Sequence, residues 1–168
     1  MDLLAYEAGE MYFTEPLDPR AEALLDKASK SYGEPQAEDH LRQAQQIAPH
    51  HLTVLVALYR YYFYRHQHAE ALSIAAEALV VVAERLRVSS DWRSLSLAEL
   101  QDAAATSAEL VRFYLHALKG AGYLLLRIGQ AKQGLARLDK VAELDPKDRI
   151  GAASLADVAR QALSSDAA

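Results

Sequence analysis

The chain of 168 residues contains no cysteine, and that absence excludes several classes of chemistry at once. Disulfides, thiolate metal sites, iron–sulfur ligation and cysteine nucleophiles all need a thiol. Glycine and proline are also scarce, at 7 and 5 residues, which disfavours a turn-rich β-sandwich. No apolar run approaches the roughly 20 residues of a membrane-spanning helix, and no signal peptide is evident at Met1. The sequence therefore predicts a cytoplasmic protein with no membrane partner.

Positive charge is not in excess either. The chain carries 18 Lys and Arg against 23 Asp and Glu, a net charge of −5, which disfavours general nucleic-acid binding. Acidic residues concentrate in residues 1–39, which hold ten acids and three bases. This concentration is typical of a solvated acidic first helix, and an acidic head that steers a basic partner is the alternative.

Helical periodicity dominates the rest of the chain. No proline occurs between Pro49 and Pro146, and apolar residues in that stretch recur at three- and four-residue spacing. Each of the two prolines follows an amphipathic stretch and is expected to end a helix. The sequence predicts an all-α fold.

Small residues recur where two antiparallel helices of a hairpin would approach each other, as at Ala37, Ala71, Gly122 and Gly134. With the two closing prolines, this pattern resembles the tetratricopeptide repeat family, whose helical hairpins stack into an array. The resemblance implies one domain over residues 1–168. Its segments are an N-terminal segment 1–17, repeats at 18–51, 52–85 and 115–148, an insertion at 86–114, and a cap helix with a tail at 149–168. A short helix over residues 3–13 is also expected.

The insertion carries its own local signals. The second helix of the second repeat is expected to continue to about Val88, followed by a turn at residues 89–91. Ser96 and Glu99 have the spacing of a capping box, which marks the start of the next helix. That helix is expected to be continuous or to break near residues 105–107.

No motif of a catalytic nucleophile, a zinc protease or a nucleotide-binding loop occurs, so the sequence predicts neither an enzyme nor a cofactor. Asp145 and Asp148 have the position of helix caps. Histidine pairs at residues 50–51 and at His66 and His68 are interpreted as solvated turn residues. A zinc site or small-molecule site made by the two pairs is the alternative.

The tetratricopeptide resemblance implies a concave groove lined by first-helix side chains. The predicted partner-binding residues are Arg60, Phe63, Tyr64, His116, Lys119, Tyr123 and Arg127. Arginine and aromatic residues of this kind are typical of protein-binding hot spots. The alternative is that the N-terminal helix or the insertion covers them. Trp92 is expected either to fix the insertion onto the array or to mark a contact.

Three phrases, at residues 51–61, 90–95 and 113–123, resemble the nitrogenase-associated factor T family of small repeat proteins from nitrogen-fixation gene clusters. That resemblance implies a protein that binds the molybdenum–iron protein of nitrogenase and assists its maturation, protection or repair, with no metal of its own. The alternative is a generic tetratricopeptide adaptor or chaperone that captures an acidic or C-terminal peptide in its groove.

Overall fold

The computed structural model describes residues 15–166, and the regular structure of these residues is entirely helical. The predicted all-α fold is therefore confirmed. The helices are α1 (Pro19–Lys30), α2 (Gln36–Ile47), α3 (Leu52–Tyr64), α4 (His68–Leu86), α5 (Leu97–Arg127), α6 (Ala131–Leu144) and α7 (Ala152–Asp166). The helix expected over residues 3–13 lies outside the described residues. Across residues 15–166 no helix is long and apolar enough to cross a membrane.

The described residues form two compact units, divided between Val81 and Val82 within α4. In the first unit α1 packs on α2, and both helices contact α3. Asp18 begins α1, because its carboxylate accepts a hydrogen bond from the backbone N–H of Arg20 at 2.8 Å. The helix α2 ends at Ile47, two residues before Pro49, as the sequence predicts.

The core of the first unit is built from small residues on two helices and large residues on the third. Both α1 and α2 carry buried alanines, at Ala21, Ala28, Ala37 and Ala44. They let these helices approach closely, since they add little side-chain volume to the contact. The helix α3 is buried around most of its circumference, which is the position that a helix apolar on all sides must take.

In the second unit α5 packs on α6, and α6 packs on α7. The contact between α5 and α6 is formed at Gly122 and Gly134, as the sequence predicts. A Cβ atom placed on Gly134 would lie 2.8 Å from the carbonyl oxygen of Gly122 and 2.9 Å from Cγ of Leu126. Only glycine fits at this point of the helix pair.

The end of α4 comes slightly earlier than expected, at Leu86 instead of Val88. The reason is that Arg87 takes a left-handed conformation, with φ of 56°. The N–H of Val88 then donates to the carbonyl of Ala83 at 3.0 Å, and the N–H of Arg87 donates to that of Glu84 at 3.1 Å. This pair of bonds is a Schellman motif, which satisfies the last carbonyls of the helix.

The turn expected at residues 89–91 lies slightly later, at residues 92–94, where the N–H of Ser94 donates to the carbonyl of Asp91 at 3.0 Å. The capping box and the break in the next helix are confirmed. Ser96 and Glu99 form a capping box at the start of α5, with the Ser96 N–H donating to Glu99 Oε2 at 2.8 Å. The helix is interrupted at Ser107, which has non-helical φ and ψ of −153° and 93°. The hydroxyl of Ser107 accepts a bond from the N–H of Leu110 at 3.3 Å and so caps the part of α5 that follows.

The connection between α6 and α7 is fixed by two aspartates, as their positions predict. Asp145 Oδ2 accepts a hydrogen bond from the N–H of Ile150 at 2.7 Å. Asp148 accepts bonds from the N–H of Ala153 at 2.9 Å and from the hydroxyl of Ser154 at 2.7 Å. The Ser154 hydroxyl and these backbone donors lower the pKa of the Asp148 carboxyl. The first turn of α7 is therefore capped by a carboxylate.

The glycine contact yields a stability prediction. We expect Gly134→Ala to lower the free energy of unfolding by about 1–3 kcal/mol, because the new methyl group overlaps a backbone oxygen that cannot rotate away. This overlap outweighs the helix propensity that alanine gains over glycine, which is at most about 1 kcal/mol. Urea denaturation followed by circular dichroism measures the change.

The matched control is Gly33→Ala, because a Cβ atom at Gly33 meets nothing within 4 Å. That variant is expected to be as stable as the parent chain or slightly more stable. Equal stability of the Gly134→Ala variant and the parent chain would show that α5 and α6 can separate without cost.

Candidate functional site

An open groove of about 420 Å³ lies on the first unit. Helices α1, α2 and α3 and the turn after α1 supply its walls. The lining residues are Leu25, Ala28, Ser29, Tyr32, Leu41, Ala57, Arg60 and Tyr64. The volume falls within the range of roughly 300–1,000 Å³ that is usual for ligand pockets. The described lining combines a largely apolar floor with the cation of Arg60.

Two exposed tyrosines line this groove. Tyr32 is 39% exposed and Tyr64 is 48% exposed, both high values for large aromatic residues. Each ring is held edge-on by a more buried ring: Tyr61 lies 5.6 Å from Tyr32, and Phe63 lies 5.7 Å from Tyr64. The exposed rings are thus supported from within the unit, so a partner that contacts them need not order them first.

The structure brings two of the predicted site residues, Arg60 and Tyr64, together in the groove. Phe63 packs inward instead. Its side chain is 8% exposed and stacks on the ring of Tyr59 at a centroid distance of 5.8 Å. Phe63 therefore positions Tyr64 and does not line the groove itself, because α3 is buried on the face that carries it.

The helix α3 also carries a buried hydroxyl beside charged groups. Tyr62 donates a hydrogen bond to Glu38 Oε1 at 2.6 Å, and the guanidinium carbon of Arg42 lies 5.1 Å from the ring centroid. Burial, reinforced by the hydrogen bond to Glu38, raises the pKa of Tyr62 to about 12. These contacts attach α3 to α2.

The remaining predicted site residues lie on α5 in the second unit. Tyr123 is half-buried and Arg127 is exposed. Arg127 Nη1 donates to the Tyr123 hydroxyl at 3.0 Å, and its guanidinium carbon lies 5.8 Å from the ring centroid. His116 is half-buried. Tyr123 and Arg127 form a small polar and aromatic pair at the C-terminal end of α5.

Lys119 belongs to the interior of the second unit. It is 9% exposed, and its ammonium group donates to the carbonyl oxygen of Ile150 at 2.7 Å. Burial lowers the pKa of Lys119, and the nearby Asp148 carboxylate partly opposes that shift. The side chain ties α5 to the connection before α7 and is not presented to a partner. No spacing signal in the sequence indicates this contact.

The histidines take separate roles. His51 caps α3: its Nδ1 accepts a bond from the N–H of Thr53 at 3.3 Å, and its Nε2 lies 3.1 Å from the carbonyl oxygen of Glu15. The rings of His66 and His68 lie 5.9 Å apart. Within residues 15–166 no three histidine or carboxylate side chains are grouped as a metal site requires.

Trp92 is half-buried in the connection between α4 and α5, where the guanidinium carbon of Arg137 lies 5.1 Å from its ring centroid. Because Arg137 belongs to α6, this contact fixes the insertion against the α5–α6 pair. Sequence reasoning identified Trp92 but missed Arg137, whose position on α6 carries no distinguishing pattern.

One relative was found by comparison with known proteins. The chain is 46% identical over 158 residues to an uncharacterized 19.8 kDa protein in the nifW 5′ region of Azotobacter chroococcum mcd 1. The match covers 94% of this chain and 88% of that protein. The chain belongs to the same family as the Azotobacter protein. No family model matches the chain, and no solved structure matches it. Assignment to the tetratricopeptide family therefore stays a prediction.

The raised pKa of Tyr62 predicts a pH dependence. An unfolded chain ionises this tyrosine near pH 10.0, whereas the folded chain does so near pH 12. The un-ionised Tyr62 hydroxyl therefore contributes to the free energy of unfolding. This contribution is complete below pH 10 and is lost as the pH rises toward 12. In the folded protein, the ultraviolet absorbance of tyrosinate should show late-titrating groups that include Tyr62 and Tyr114, since burial raises the pKa of Tyr114 to about 12 as well.

We expect Tyr62→Phe to remove one late-titrating group and to reduce the loss of folding free energy above pH 10. Tyr64→Phe, at an exposed tyrosine, serves as the control and should leave the late titration of Tyr62 and Tyr114 in place. Titration of all tyrosines together near pH 10 would contradict the buried environment of Tyr62.

Proposed function

We propose that this chain is a non-catalytic accessory protein of nitrogen fixation that acts by binding another protein. The observation that carries the proposal is the family relationship to a protein in the nifW 5′ region, at 46% identity over nearly the whole chain. A shared function is a reasonable inference at this level of identity and coverage. The name of the relative refers to the nifW 5′ region, which supports an association with the nitrogen-fixation genes.

The groove of the first unit supports a binding role. Its lining offers an arginine and two tyrosines over an apolar floor, which is the composition that dominates binding energy in protein interfaces. The hydroxyl of Ser29 donates a hydrogen bond to the carbonyl of Asp26 at 2.8 Å, within α1. This chemistry suits recognition of a side chain or a short segment.

The partner that we propose is the molybdenum–iron protein of nitrogenase. The support is the resemblance of residues 51–61, 90–95 and 113–123 to the nitrogenase-associated factor T family. The first of these segments contributes Ala57 and Arg60 to the groove. In this proposal the chain assists maturation, protection or repair of the molybdenum–iron protein, and it acts in the cytoplasm.

A generic adaptor is the second candidate, and the position of Arg60 favours it. A guanidinium beside an apolar floor can bind a carboxylate while the neighbouring side chain is buried. An acidic or C-terminal peptide would satisfy both parts of the groove. The two candidates differ in the partner, which is a folded protein in the first and a short peptide in the second.

The test is capture of partners by the tagged chain from its native host, grown with and without fixed nitrogen. We expect mass spectrometry to recover the molybdenum–iron protein subunits under nitrogen-fixing conditions. With purified components, Tyr64→Ala should weaken binding about tenfold, because truncating a hot-spot aromatic costs more than about 1 kcal/mol. Val158→Ala, at another exposed apolar residue, is the matched control and should bind like the parent chain.

Failure of the purified molybdenum–iron protein to bind would exclude it as the partner. Capture of short peptides, lost in Arg60→Ala, would then establish the adaptor. If Tyr64→Ala binds the molybdenum–iron protein as tightly as the parent chain does, the groove is not the contact surface.

A further inference from the structure

The aromatic ring of Trp92, in the connection between α4 and α5, contacts two arginines. The guanidinium carbon of Arg93 lies 4.3 Å from the ring centroid of Trp92, and that of Arg137 lies 5.1 Å from it. Both distances are within the range of cation–π contacts. The three side chains, here called the Trp92 cluster, come from two different segments of the second unit.

The backbone that carries Trp92 and Arg93 is fixed from both sides. The carbonyl of Asp91 accepts bonds from the N–H and the hydroxyl of Ser94, at 3.0 and 2.9 Å. The hydroxyl of Ser89 accepts a bond from the N–H of Asp91 at 3.1 Å. Leu95, which follows Ser94, is 1% exposed and so anchors the turn in the core. Such a prepared surface loses little entropy when it binds.

Positive charge is left over in the Trp92 cluster. Arg93 has one acidic neighbour, with its Nη1 at 3.6 Å from Asp91 Oδ1, and its side chain is 66% exposed. For Arg137 the structure gives one hydrogen-bond acceptor, the carbonyl oxygen of Gln133 at 3.4 Å. Burial and then the repulsion of Arg93 lower the pKa of Arg137. An added carboxylate would relieve this repulsion.

We propose that the Trp92 cluster is a docking site for an acidic segment of the protein partner. In this arrangement Arg93 and Arg137 bind carboxylates, and the exposed part of the indole covers the aliphatic carbons of the acidic side chains. The proposal rests on the protein-binding function proposed above. It concerns a surface of the second unit, separate from the groove of the first. Tryptophan and arginine are the residue types most enriched at such contacts.

Trp92 is the only tryptophan in the chain, so intrinsic fluorescence reports directly on this site. The experiment titrates the full chain with a hexaglutamate peptide blocked at both ends and follows tryptophan emission. We expect a saturable change whose apparent affinity falls as salt is raised, because exposed charges are screened. Arg137→Gln should weaken binding about tenfold through loss of a charge-assisted contact.

Arg93→Gln is the second variant and should also weaken binding, which keeps the test valid if Arg137→Gln fails to fold. The control is Arg20→Gln, which removes the same charge from an arginine on α1 whose side chain is 76% exposed, and it should leave the titration unchanged. Lack of a saturable change, or parent-like affinity in both cluster variants, would overturn the proposal. An equal response to inorganic phosphate would also overturn it and assign the cluster to phosphate instead.

The outcome is separable from that of the proposed function. Binding of the molybdenum–iron protein without any response to hexaglutamate would refute the Trp92 cluster as an acidic docking site and leave the partner in place. A response to hexaglutamate without binding of that protein would support the Trp92 cluster and exclude the proposed partner.

Discussion

The close contact of α5 and α6 at Gly122 and Gly134 determines much of the second unit. With no side chain on either residue, the two helix backbones approach to a distance that a methyl group would already violate. Lys119 lies one helical turn before Gly122, and Arg137 lies about one turn after Gly134. Their contacts with Ile150 and with Trp92 both depend on how closely α6 lies against α5. Packing between two glycines therefore controls the positions of a buried amine and a half-buried arginine.

Much of the fold was predictable because its signals are local. Proline marked the end of α2 and of α6, and the Ser96–Glu99 spacing marked the start of α5. The interruption at Ser107 lies within residues 105–107, where the sequence allows a break. Each of these features depends on residues within a turn or two of one another. Helix periodicity also identified the buried faces, since the spacing of apolar residues reflects the side that packs.

The site was predictable only in part, because its remaining contacts join residues that are distant in sequence. Arg60 and Tyr64 were identified from their positions on α3. Phe63, on the same helix, was predicted to line the groove but is buried. Because α3 is buried on several faces, the spacing of its apolar residues does not distinguish the exposed aromatic side chains from the buried ones. The sequence predicts Lys119 as a surface cation. In the structure its ammonium group is bonded to the carbonyl of Ile150, in the connection before α7. Arg137 belongs to the site only through its contact with Trp92, and no local sequence pattern indicates that contact.

The two surfaces described here use the same chemistry in different shapes. On the first unit, tyrosines and an arginine line a concave groove. On the second, a half-buried tryptophan lies against two arginines, of which Arg93 is exposed. In both cases aromatic rings are held by neighbours, so their orientation is already determined. Rigid aromatic groups beside guanidinium groups supply binding area at low conformational cost. A partner rich in carboxylates and apolar side chains would complement either surface.

The groove residues all lie between Leu25 and Tyr64, and this has a consequence for synthesis on the ribosome. The helices α1, α2 and α3 pack on one another without any residue of the second unit among the groove's walls. Domains generally fold from the N-terminus as the chain emerges, and contacts close in sequence form fastest. All the lining residues given above are therefore synthesised before any residue of α5.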